Sequence, residues 1–359
     1  MATLAYGYTT GACAAAAARG AARMLRTQEQ LDEISITLPR GETASFSLHG
    51  QTFDDSSASC FVVKDAGSDP DVTHGAEIHV TVQRKALTKP ATTMVFVTGG
   101  PGIGRVTKPG LAVAVGEPAI NPVPLRMITE AVRGEFSVVC LPQLLTVTVS
   151  IPNGEALAQK TLNARLGIVG GLSILGTTGI VTPISARAWT DTIDTAINVA
   201  LAGGCSTVVL ATGRTSELAA QQRLGSDLPE EAYVLMGDYV GHALRACAAK
   251  AVRQVVLAGQ FAKLLKIGCG HQQTHVSSSE LDLSTLAEWL AQEPQTANMQ
   301  PLAQSANTAR QVLEDSRHDP HLMALVCERA RAAARKLAPG VTVQVMLVGY
   351  TSDVLYCTG

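Results

Sequence analysis

An alanine-rich run at residues 11–26 is the strongest local pattern near the start of the chain. It follows Thr9 and Thr10 and carries three arginines toward its end. Threonine is a favoured N-cap, and basic residues suit the last turns of a helix. The run therefore predicts a helix capped by Thr9 or Thr10, with small side chains that allow close packing.

Apolar and polar residues then form short strand-like runs, because successive side chains of a strand point to opposite faces. A short helix is predicted at 154–162, whereas residues 65–75 and 163–184 suit neither element and are predicted to be loops. Together these patterns indicate a mixed α+β domain. The predicted strands cover residues 33–38, 44–48, 59–64, 76–82, 93–98 and 144–151.

Beyond residue 204 the pattern changes, since short buried strands alternate with helices. Such alternation is typical of βαβ units and predicts a parallel sheet. The boundary between the two patterns is expected at residues 185–205. The predicted strands cover 206–212, 232–236, 254–258 and 341–348, and the predicted helices cover 186–202, 216–224, 239–251, 281–290 and 320–337.

Composition excludes several classes of partner. The 359 residues suffice for two domains, and 28 basic against 30 acidic residues give a net charge of −2. With only 4% aromatic residues as well, neither nucleic acid nor an anionic membrane is expected as a partner. Mean hydropathy is +0.18, without an apolar stretch long enough to span a membrane or the basic start of a signal peptide. A cytoplasmic protein is expected.

The cysteines are scattered, without a CxxC pair or a nearby histidine at zinc spacing. This pattern predicts small buried residues in a reducing compartment and no protein-bound metal. The eight are Cys13, Cys60, Cys140, Cys205, Cys247, Cys269, Cys327 and Cys357.

Residues 99–124, GGPGIGRVTKPGLAVAVGEPAINPVP, hold six glycines and five prolines and therefore predict neither a regular helix nor a central strand. The segment follows a predicted strand, so the N–H groups at Gly99, Gly100, Gly102 and Gly104 are expected to be free to approach a ligand. Arg105 and Lys108 add positive charge, which is typical of an anion site. A chain of tight turns at a domain edge explains the composition equally well. The spacing is not that of a dinucleotide fingerprint.

A second loop, residues 64–75, concentrates three carboxylates, a lysine and a histidine. It lacks the glutamate that would complete a calcium loop, so we assign it no metal. One interpretation is a solvated turn with Asx caps. The other is a site where Asp65, Asp69 or His74 handles a proton.

In the second half, glycines follow the predicted strands at Gly213 and Gly237, and Asp238 comes next. Ligands of an open parallel sheet bind outside the carboxyl ends of its strands, where an acidic residue can bind a ribose. Asp238 is equally suited to cap the helix that follows it.

Several long segments resemble the CbiD family, the cobalt-precorrin-5B C1-methyltransferases of cobalamin biosynthesis, and they occur in the family's order. The resemblance runs from residue 6 to about residue 276. It rests on YGYTTGACAAAAARGAA, KDAGSDPDVTHGAEI, GGPGIGRVTKPGL, GEPAINPVP, IPNGEALAQKTLNARLGIVGGLSILGTTGIV and THVSSSEL.

The resemblance implies a fold and an activity. It implies an α+β domain at residues 1–190, followed by a Rossmann-like α/β domain at 191–359. The implied reaction moves a methyl group from S-adenosylmethionine to C1 of cobalt-precorrin-5B, giving cobalt-precorrin-6A. The expected partner is thus a polycarboxylate corrinoid precursor, and a homo-oligomer is left open.

Site residues follow from the resemblance together with the residue types. We expect substrate positioning or deprotonation by Asp65, Asp69 and His74. We expect substrate binding by Gly99, Gly100, Gly102, Gly104, Arg105, Lys108, Asn163 and Arg165. Other basic residues in or beside the motifs, Lys64 among them, are further candidates for binding the substrate. We expect methyl-donor binding by Gly171, Ser173, Gly176, Thr177, Gly213, Gly237 and Asp238.

Two other functions compete with this one. A non-catalytic corrinoid-binding or scaffold protein of the same pathway would keep the substrate cleft and lack methyl-donor binding. An unrelated nucleotide-dependent enzyme would use the second domain alone.

Overall fold

The computed structural model describes residues 5–86, 93–137, 143–183, 185–279 and 281–359. The chain divides into two compact units, Met1–Ser185 and Ala186–Gly359. Three positions of the sequence predictions, Cys140, Ile184 and Glu280, lie outside the described residues. None of the described helices is long and apolar enough to cross a membrane.

The first unit combines a mixed β-sheet with two helices that pack against each other. Thr9 caps the first helix by accepting a hydrogen bond from the N–H of Ala12 over 3.2 Å, which confirms that predicted cap. The elements are β1 (Gly7–Tyr8), α1 (Thr10–Thr27), β2 (Glu33–Thr37), β3 (Thr43–Ser47), β4 (His49–Phe53), β5 (Ser57–Val63), β6 (Glu77–Ala86), β7 (Met94–Gly99), β8 (Arg105–Val106), α2 (Pro122–Glu135), β9 (Gln143–Ser150), α3 (Gly154–Ala158), β10 (Ile168–Val169) and β11 (Ile180–Val181).

The main sheet of this unit has the strand order β4-β5-β6-β9-β7. β6 is antiparallel to both β5 and β9, and β9 is parallel to β7. The strands β5, β7 and β9 therefore run in the same direction, and their carboxyl ends meet at one edge of the sheet.

The helix α1 lies in the core of the first unit, where Ala14, Ala16 and Ala18 are fully buried. Because alanine adds little volume, α2 and the sheet can both approach the helix closely. Gly20 extends this packing, since a Cβ there would lie 2.5 Å from the side chain of Leu48.

Glu135, at the end of α2, ties the two helices together. It is 6% exposed and accepts hydrogen bonds from Arg19 at 2.9 Å, Arg23 at 2.8 Å and Arg26 at 3.2 Å. Burial opposes ionisation of the carboxyl, but the arginines outweigh it and lower its pKa to about 2. The three arginines of the alanine-rich run thus hold α1 against α2.

The second unit is an α/β arrangement around one sheet. Its described elements are α4 (Ala186–Ala202), β12 (Thr207–Ala211), α5 (Arg214–Leu224), β13 (Tyr233–Leu235), α6 (Val240–Ala249), β14 (Gln254–Gln260), α7 (Phe261–Gly268), α8 (Leu283–Gln292), α9 (Gln300–Ser305), α10 (Ala309–Asp315), α11 (Pro320–Leu337), β15 (Thr342–Val348) and β16 (Val354–Cys357).

The strand order of this sheet is β13-β12-β14-β15-β16, with every pair parallel except the last. The central strands are continuous apolar runs, and Val208, Leu210 and Leu257 are fully buried, as expected for a parallel sheet covered on both faces. Crossovers are right-handed, so α5, between β12 and β13, and α6, which leads back past β12 to β14, cover opposite faces. The chain therefore changes direction between β12 and β14.

Several predictions from the sequence need correction. The helix predicted at 154–162 ends at Ala158. The glycine- and proline-rich segment is not wholly irregular, because α2 begins at Pro122, and a proline in the first helical turn loses no hydrogen bond. Cys357 is exposed and Cys269 half-buried, whereas the other described cysteines are buried.

Candidate active site

Loops that carry most of the first unit's predicted site residues meet at the carboxyl edge of its sheet. There β5 leads into Lys64, β7 into Gly100 and β9 into Ile151. The helix α1 starts at the same edge, because the N–H of Tyr8 donates to the carbonyl of Asp65 over 2.7 Å. Neighbouring strands lie about 4.8 Å apart, so the ends of β5 and β9 are separated by about 10 Å. The edge is therefore wide enough to contact a ligand that spans several strand ends.

The segment 172–177 closes over the start of α1. The hydroxyl of Thr10 accepts from the N–H of Leu175 over 3.0 Å, and the N–H of Gly11 donates to the Leu175 carbonyl over 3.0 Å. Gly176 has a φ of +127°, and a Cβ there would lie 2.4 Å from the side chain of Thr9. Gly176 is therefore required for this close approach.

The predicted glycine loop after β7 is packed against other backbone, and its N–H groups are largely engaged. Gly100 donates to the Val149 carbonyl over 2.7 Å, and Gly104 donates to the Leu172 carbonyl over 2.8 Å. The expectation of free N–H groups is therefore wrong at these two glycines, because neighbouring segments supply acceptors. Gly99, the last residue of β7, fits closely against Pro118 and Ile103.

Three glycines pack together where the loops after β7 and β9 meet the segment before Leu172. A Cβ on Gly102, which has a φ of +77°, would lie 1.9 Å from the carbonyl oxygen of Ile151. A Cβ on Gly154 or on Gly171 would lie 2.2 Å or 2.3 Å from the Gly102 carbonyl oxygen. Glycine is thus required here by backbone packing, a need that exists without any ligand.

The predicted cations of this loop lie around the short antiparallel pair β8–β10. Arg105, which is exposed, pairs with Val169 and donates to the carbonyl of Gly116. The Lys108 side chain lies over Gly167, where a Cβ would be 2.4 Å from it. Arg165 is two residues before Gly167 and is half-buried. The fold therefore gathers three cations that are up to 60 residues apart in the chain.

Asn163 and Ser173 are buried in the same part of the unit. The Asn163 amide donates to the carbonyl of Gly171 over 3.3 Å, while Ser173 is 8% exposed. Thr177 is exposed near the start of α1. Of the methyl-donor residues predicted in this unit, Thr177 is the one whose side chain is most open to a ligand.

Lys64 is a predicted substrate cation at this edge that the structure buries. Its side chain is 1% exposed, and its Nζ lies 2.7 Å from Oδ2 of Asp71. Burial opposes ionisation of Asp71, but hydrogen bonds from Lys64 and Thr73 outweigh it and lower the pKa of Asp71. A buried pair of this kind holds the loop in shape and leaves Lys64 closed to a ligand.

His74 and Asp65 lie together on the exposed side of this loop. The backbone N–H of Ala66 donates to Nδ1 of His74 over 3.1 Å, and Oδ1 of Asp65 is 3.7 Å from the same nitrogen. A backbone N–H can only donate, so Nδ1 holds a lone pair and the neutral ring keeps its proton on Nε2. His74 thus offers an N–H donor, and it can gain a proton only by breaking its bond to Ala66.

The carboxylates of this loop differ in exposure. The side chain of Asp65 is 71% exposed and accepts from the N–H of Gly67 over 2.8 Å. Asp69 is half-buried, and its own N–H donates to the Ala66 carbonyl over 3.3 Å. Asp65 is therefore the acidic residue of this loop most open to a bound molecule.

In the second unit, Gly213 lies at the point where the chain changes direction between β12 and β14. It is the N-cap of α5, and no atom lies within 4 Å of a Cβ built on it. The crevice at such a switch point is the usual ligand position of an open parallel sheet. In the first turn of α5, Glu217 is 1% exposed and lies 3.0 Å from Arg214.

Asp238 anchors a polar network at the same edge rather than capping a helix. The N-cap of α6 is Tyr239, which makes no side-chain capping bond. Oδ1 of Asp238 accepts from Lys263 and from the hydroxyl of Thr274, the latter over 2.7 Å. Burial opposes ionisation, but these two bonds outweigh it and lower the pKa of Asp238. Beside it, Gly237 has a φ of +58° and lies under the ring of Trp189.

Lys266 holds both ends of the loop from Thr274 to Ser279. The Nζ of Lys266 donates to the Thr274 carbonyl over 3.2 Å and to the Ser279 carbonyl over 2.8 Å. Burial lowers the pKa of Lys266. The N–H of Ser277 donates to Nδ1 of His275 over 3.3 Å, and Val276 is 83% exposed. Sequence patterns missed Lys263 and Lys266, because only their contacts distinguish them from ordinary helical lysines.

Comparison with models of protein families identifies the family of this chain. The model described as CbiD matches residues 1–183, and that of the CbiD C-terminal domain matches residues 273–359. The chain belongs to the CbiD family. The first-unit edge lies within the first match and the Thr274–Ser279 loop within the second, whereas Gly213, Gly237 and Asp238 lie between the two.

Individual CbiD relatives match along the whole chain. A protein from Geobacter sulfurreducens is 72% identical over 355 residues, and one from Geobacter metallireducens is 67% identical over 362 residues. Each alignment covers 98% of this chain and 98% of the relative, and both relatives are named cobalt-precorrin-5B C(1)-methyltransferase. A cobalamin biosynthesis protein (CbiD) of known structure, from Archaeoglobus fulgidus, is 22% identical, covering 96% of this chain and 87% of that one, with a TM-score of 0.39.

The polar groups of the first unit's candidate site are hydrogen-bond donors and carboxylates. Within the described residues, histidine, cysteine, aspartate and glutamate form no group of three that could hold a metal ion. The loops of the first unit carry the exposed guanidinium of Arg105, the Nε2–H of His74 and the carboxylate of Asp65. Such a set can bind a polyanionic ligand and accept a proton from it.

Proposed function

We propose that this protein transfers a methyl group from S-adenosylmethionine to C1 of cobalt-precorrin-5B, giving cobalt-precorrin-6A. The observation that carries the proposal is the 72% identity, over 98% of both chains, to a relative named as that methyltransferase. The alignment therefore extends over nearly the full length of both chains. The chain belongs to the same family by two separate matches.

The corrinoid binds at the carboxyl edge of the first sheet in this proposal. Its carboxylates need cationic or neutral donors, and the guanidinium fork of arginine suits a carboxylate best. Arg105, Lys108 and Arg165 supply the positive charge around β8–β10, and His74 supplies its Nε2–H. The packed glycines Gly102, Gly154 and Gly171 support this assignment indirectly, because they fix the backbone beside the three cations.

Methyl transfer from a sulfonium makes modest demands on acid–base chemistry. The methyl carbon forms its bond to C1 while its bond to sulfur breaks, and the electron pair of that bond stays on sulfur. Alignment of the two reacting atoms and exclusion of water are the main requirements. We assign proton acceptance, where the macrocycle loses a proton, to Asp65 or Asp69, because His74 accepts only by breaking its bond to Ala66.

The methyl donor has two candidate positions. The second unit is proposed to be a Rossmann-like domain, and the parallel order β13-β12-β14-β15 with a switch point at Gly213 supports that assignment. Gly237 and Asp238 would then hold the adenosine end. The competing position is the first-unit segment with Gly171, Ser173, Gly176 and Thr177. We favour the second unit, because Gly171 and Gly176 are already in tight backbone or side-chain packing.

The decisive experiment is incubation of the purified protein with cobalt-precorrin-5B and methyl-labelled S-adenosylmethionine, followed by mass spectrometry. One labelled methyl group at C1 is the expected product. Tight binding of the tetrapyrrole without label, together with no calorimetric binding of S-adenosylmethionine, would instead indicate a corrinoid-binding scaffold.

The proposed position of the corrinoid is tested by Arg105→Ala. This variant should weaken corrinoid binding more than methyl-donor binding, and equal losses of both would contradict the placement of Arg105.

Several further properties of the protein are predictions from its sequence. A cytoplasmic location, the absence of a protein-bound metal and of nucleic-acid partners, and any homo-oligomer stay predictions. Size-exclusion chromatography with light scattering and metal analysis of the purified protein address the oligomer and the metal.

A further inference from the structure

A cavity of about 450 Å³ lies among the helices of the second unit. Its floor is the end of α7 and the turn after it, from Ile267 to Gly270, and its walls are one face each of α8 and α11. Pockets for small molecules have volumes of about 300–1,000 Å³. The cavity is therefore large enough for a small ligand.

Close packing of glycine shapes this cavity. A Cβ on Gly268 would lie 3.2 Å from both the Trp289 ring and the Cβ of Arg329, which is tighter than ordinary contact. The absent side chain lets α7 end close beneath the indole. The guanidinium of Arg329 lies 5.3 Å from the centre of the Trp289 ring, within the range of a cation–π contact. An aromatic surface and a cation thus occur side by side.

The charge of the lining is entirely positive. Arg329 and Lys336 are its charged residues, and they lie two turns apart on one face of α11, about 10 Å along the helix. In the part of the chain that the structure describes, no ion pair joins either of them to a carboxylate. Among the acidic residues of these helices, Glu328 lies 2.7 Å from Arg331, Asp282 caps α8, and Glu288 is exposed beside Trp289 but outside the lining.

The cavity is separate from the carboxyl edge of the second sheet. The helix α7 starts at Phe261, directly after β14, and runs for eight residues, so its end is about 12 Å away from that edge. The helix α11 ends at Leu337, shortly before β15 begins. Both observations place the cavity toward the amino ends of the strands, remote from Gly213 and Asp238.

We propose that this cavity binds a small planar anion, whose aromatic ring contacts Trp289 and whose single anionic group is held by Arg329 and Lys336. The indole provides the flat surface, and Arg329 and Lys336, which no ion pair joins to a carboxylate within the described residues, provide the charge. A nucleoside monophosphate and an aromatic carboxylate share this chemistry. The site is independent of the methyltransferase proposal, because it neither touches the carboxyl edge nor uses any residue assigned there.

Tryptophan fluorescence of the full chain tests the site directly. The chain has two tryptophans, and Trp189→Phe leaves Trp289 as the reporter. Adenosine 5′-monophosphate and benzoate are titrated in parallel, with adenosine and inorganic phosphate as probes that lack one half of the ligand. We expect saturable quenching by at least one of the two anions, and at least about tenfold weaker binding of both half-ligands. Which anion binds tighter distinguishes a phosphate source from a carboxylate source.

Neighbouring basic residues supply the matched control. Lys336→Ala and Arg329→Ala should each weaken binding about tenfold, whereas Arg335→Ala, an exposed residue of the same turn outside the lining, should leave it unchanged. Thermal melting of each variant checks that it is folded. Quenching that fails to saturate up to about 10 mM, or that survives both lining substitutions, would overturn the proposal.

Discussion

The backbone N–H of Ala66 donates a hydrogen bond to Nδ1 of His74 over 3.1 Å, and this contact fixes which ring nitrogen carries the proton. The amide of a glutamine can place an N–H near the position of Nε2. His74→Ala should therefore raise KM for the corrinoid about tenfold with a smaller change in kcat, and His74→Gln should recover most of the loss. Steady-state kinetics measures both constants. A loss confined to kcat in both variants would instead assign His74 to proton transfer.

The buried pair of Lys64 and Asp71 predicts an unequal response to loss of either partner. Asp71→Asn leaves the ammonium of Lys64 buried without a countercharge, and we expect it to lower the free energy of unfolding by about 3 kcal/mol. Lys64→Met removes that ammonium and keeps much of its volume, so adding it to Asp71→Asn should restore part of the stability. Urea denaturation of the single and double variants measures this. A double variant less stable than Asp71→Asn alone would contradict the argument.

Two glycines with a similar backbone separate packing from conformation. Gly102 and Gly116 have φ values of +77° and +92°, but only Gly102 faces a close neighbour, the Ile151 carbonyl at 1.9 Å from a built Cβ. Gly116→Ala should cost about 1 kcal/mol, from backbone strain alone. Gly102→Ala should cost several times as much or prevent folding. Equal melting temperatures for the two variants would show that the three packed glycines are not needed for stability.

The pKa of Glu135 predicts acid sensitivity of the first unit. Its value of about 2 in the folded protein, against an ordinary 4.5, means that the carboxylate stabilises the fold above pH 4.5. That contribution is lost as the pH falls from 4.5 toward 2. Because the three arginines are about one-third exposed, we discount it to about 2 kcal/mol.

Denaturation of the wild type and of Glu135→Gln at several pH values tests this contribution. The variant should be less stable than the wild type near neutral pH, and the difference between them should shrink as the pH falls below about 4.5. A difference that is independent of pH would mean that packing, rather than charge, is what Glu135 contributes.

The position of the methyl donor is tested by one substitution in each unit. Asp238→Asn keeps the shape of the side chain but removes the charge beside Lys263, and we expect it to raise KM for S-adenosylmethionine about tenfold. Ser173→Ala should leave that constant unchanged. Glu314→Gln, which breaks the exposed ion pair with Arg310, controls for loss of an ion pair in the second unit. The reverse pattern would move the donor to the first unit.

Much of the fold could be predicted because its signals are local. The alanine-rich run gave α1 within one residue at each end, and Thr9 caps it as expected. The strands β12, β14 and β15 also lie close to their predicted ranges, because a continuous apolar run bounded by glycine is a signal contained within the strand itself. The helix α2 was missed, because prolines at its start hide a pattern that suits a first turn.

The candidate site was predicted less completely. Sequence patterns indicated which segments matter, and the structure brings Asp65, Gly100 and Arg105 to one edge or to the loops beside it. They could not indicate that Lys64 is buried, or that Gly100 and Gly104 donate to other backbone. Burial and hydrogen-bond partners depend on which segments become neighbours, and a residue type carries no such information.

The sequence by itself determined most of the secondary structure, the change from a mixed α+β pattern to alternating strands and helices, and the family, because periodicity, caps and motifs are contained in short stretches of chain. Only the tertiary structure decided the roles of individual groups. Three arginines meet Glu135 across more than 100 residues, and Thr274 meets Asp238 across 36. Such contacts arise when distant segments pack together, and they settle which charges are neutralised, which nitrogen of a histidine keeps its proton and which glycines have no space for a side chain.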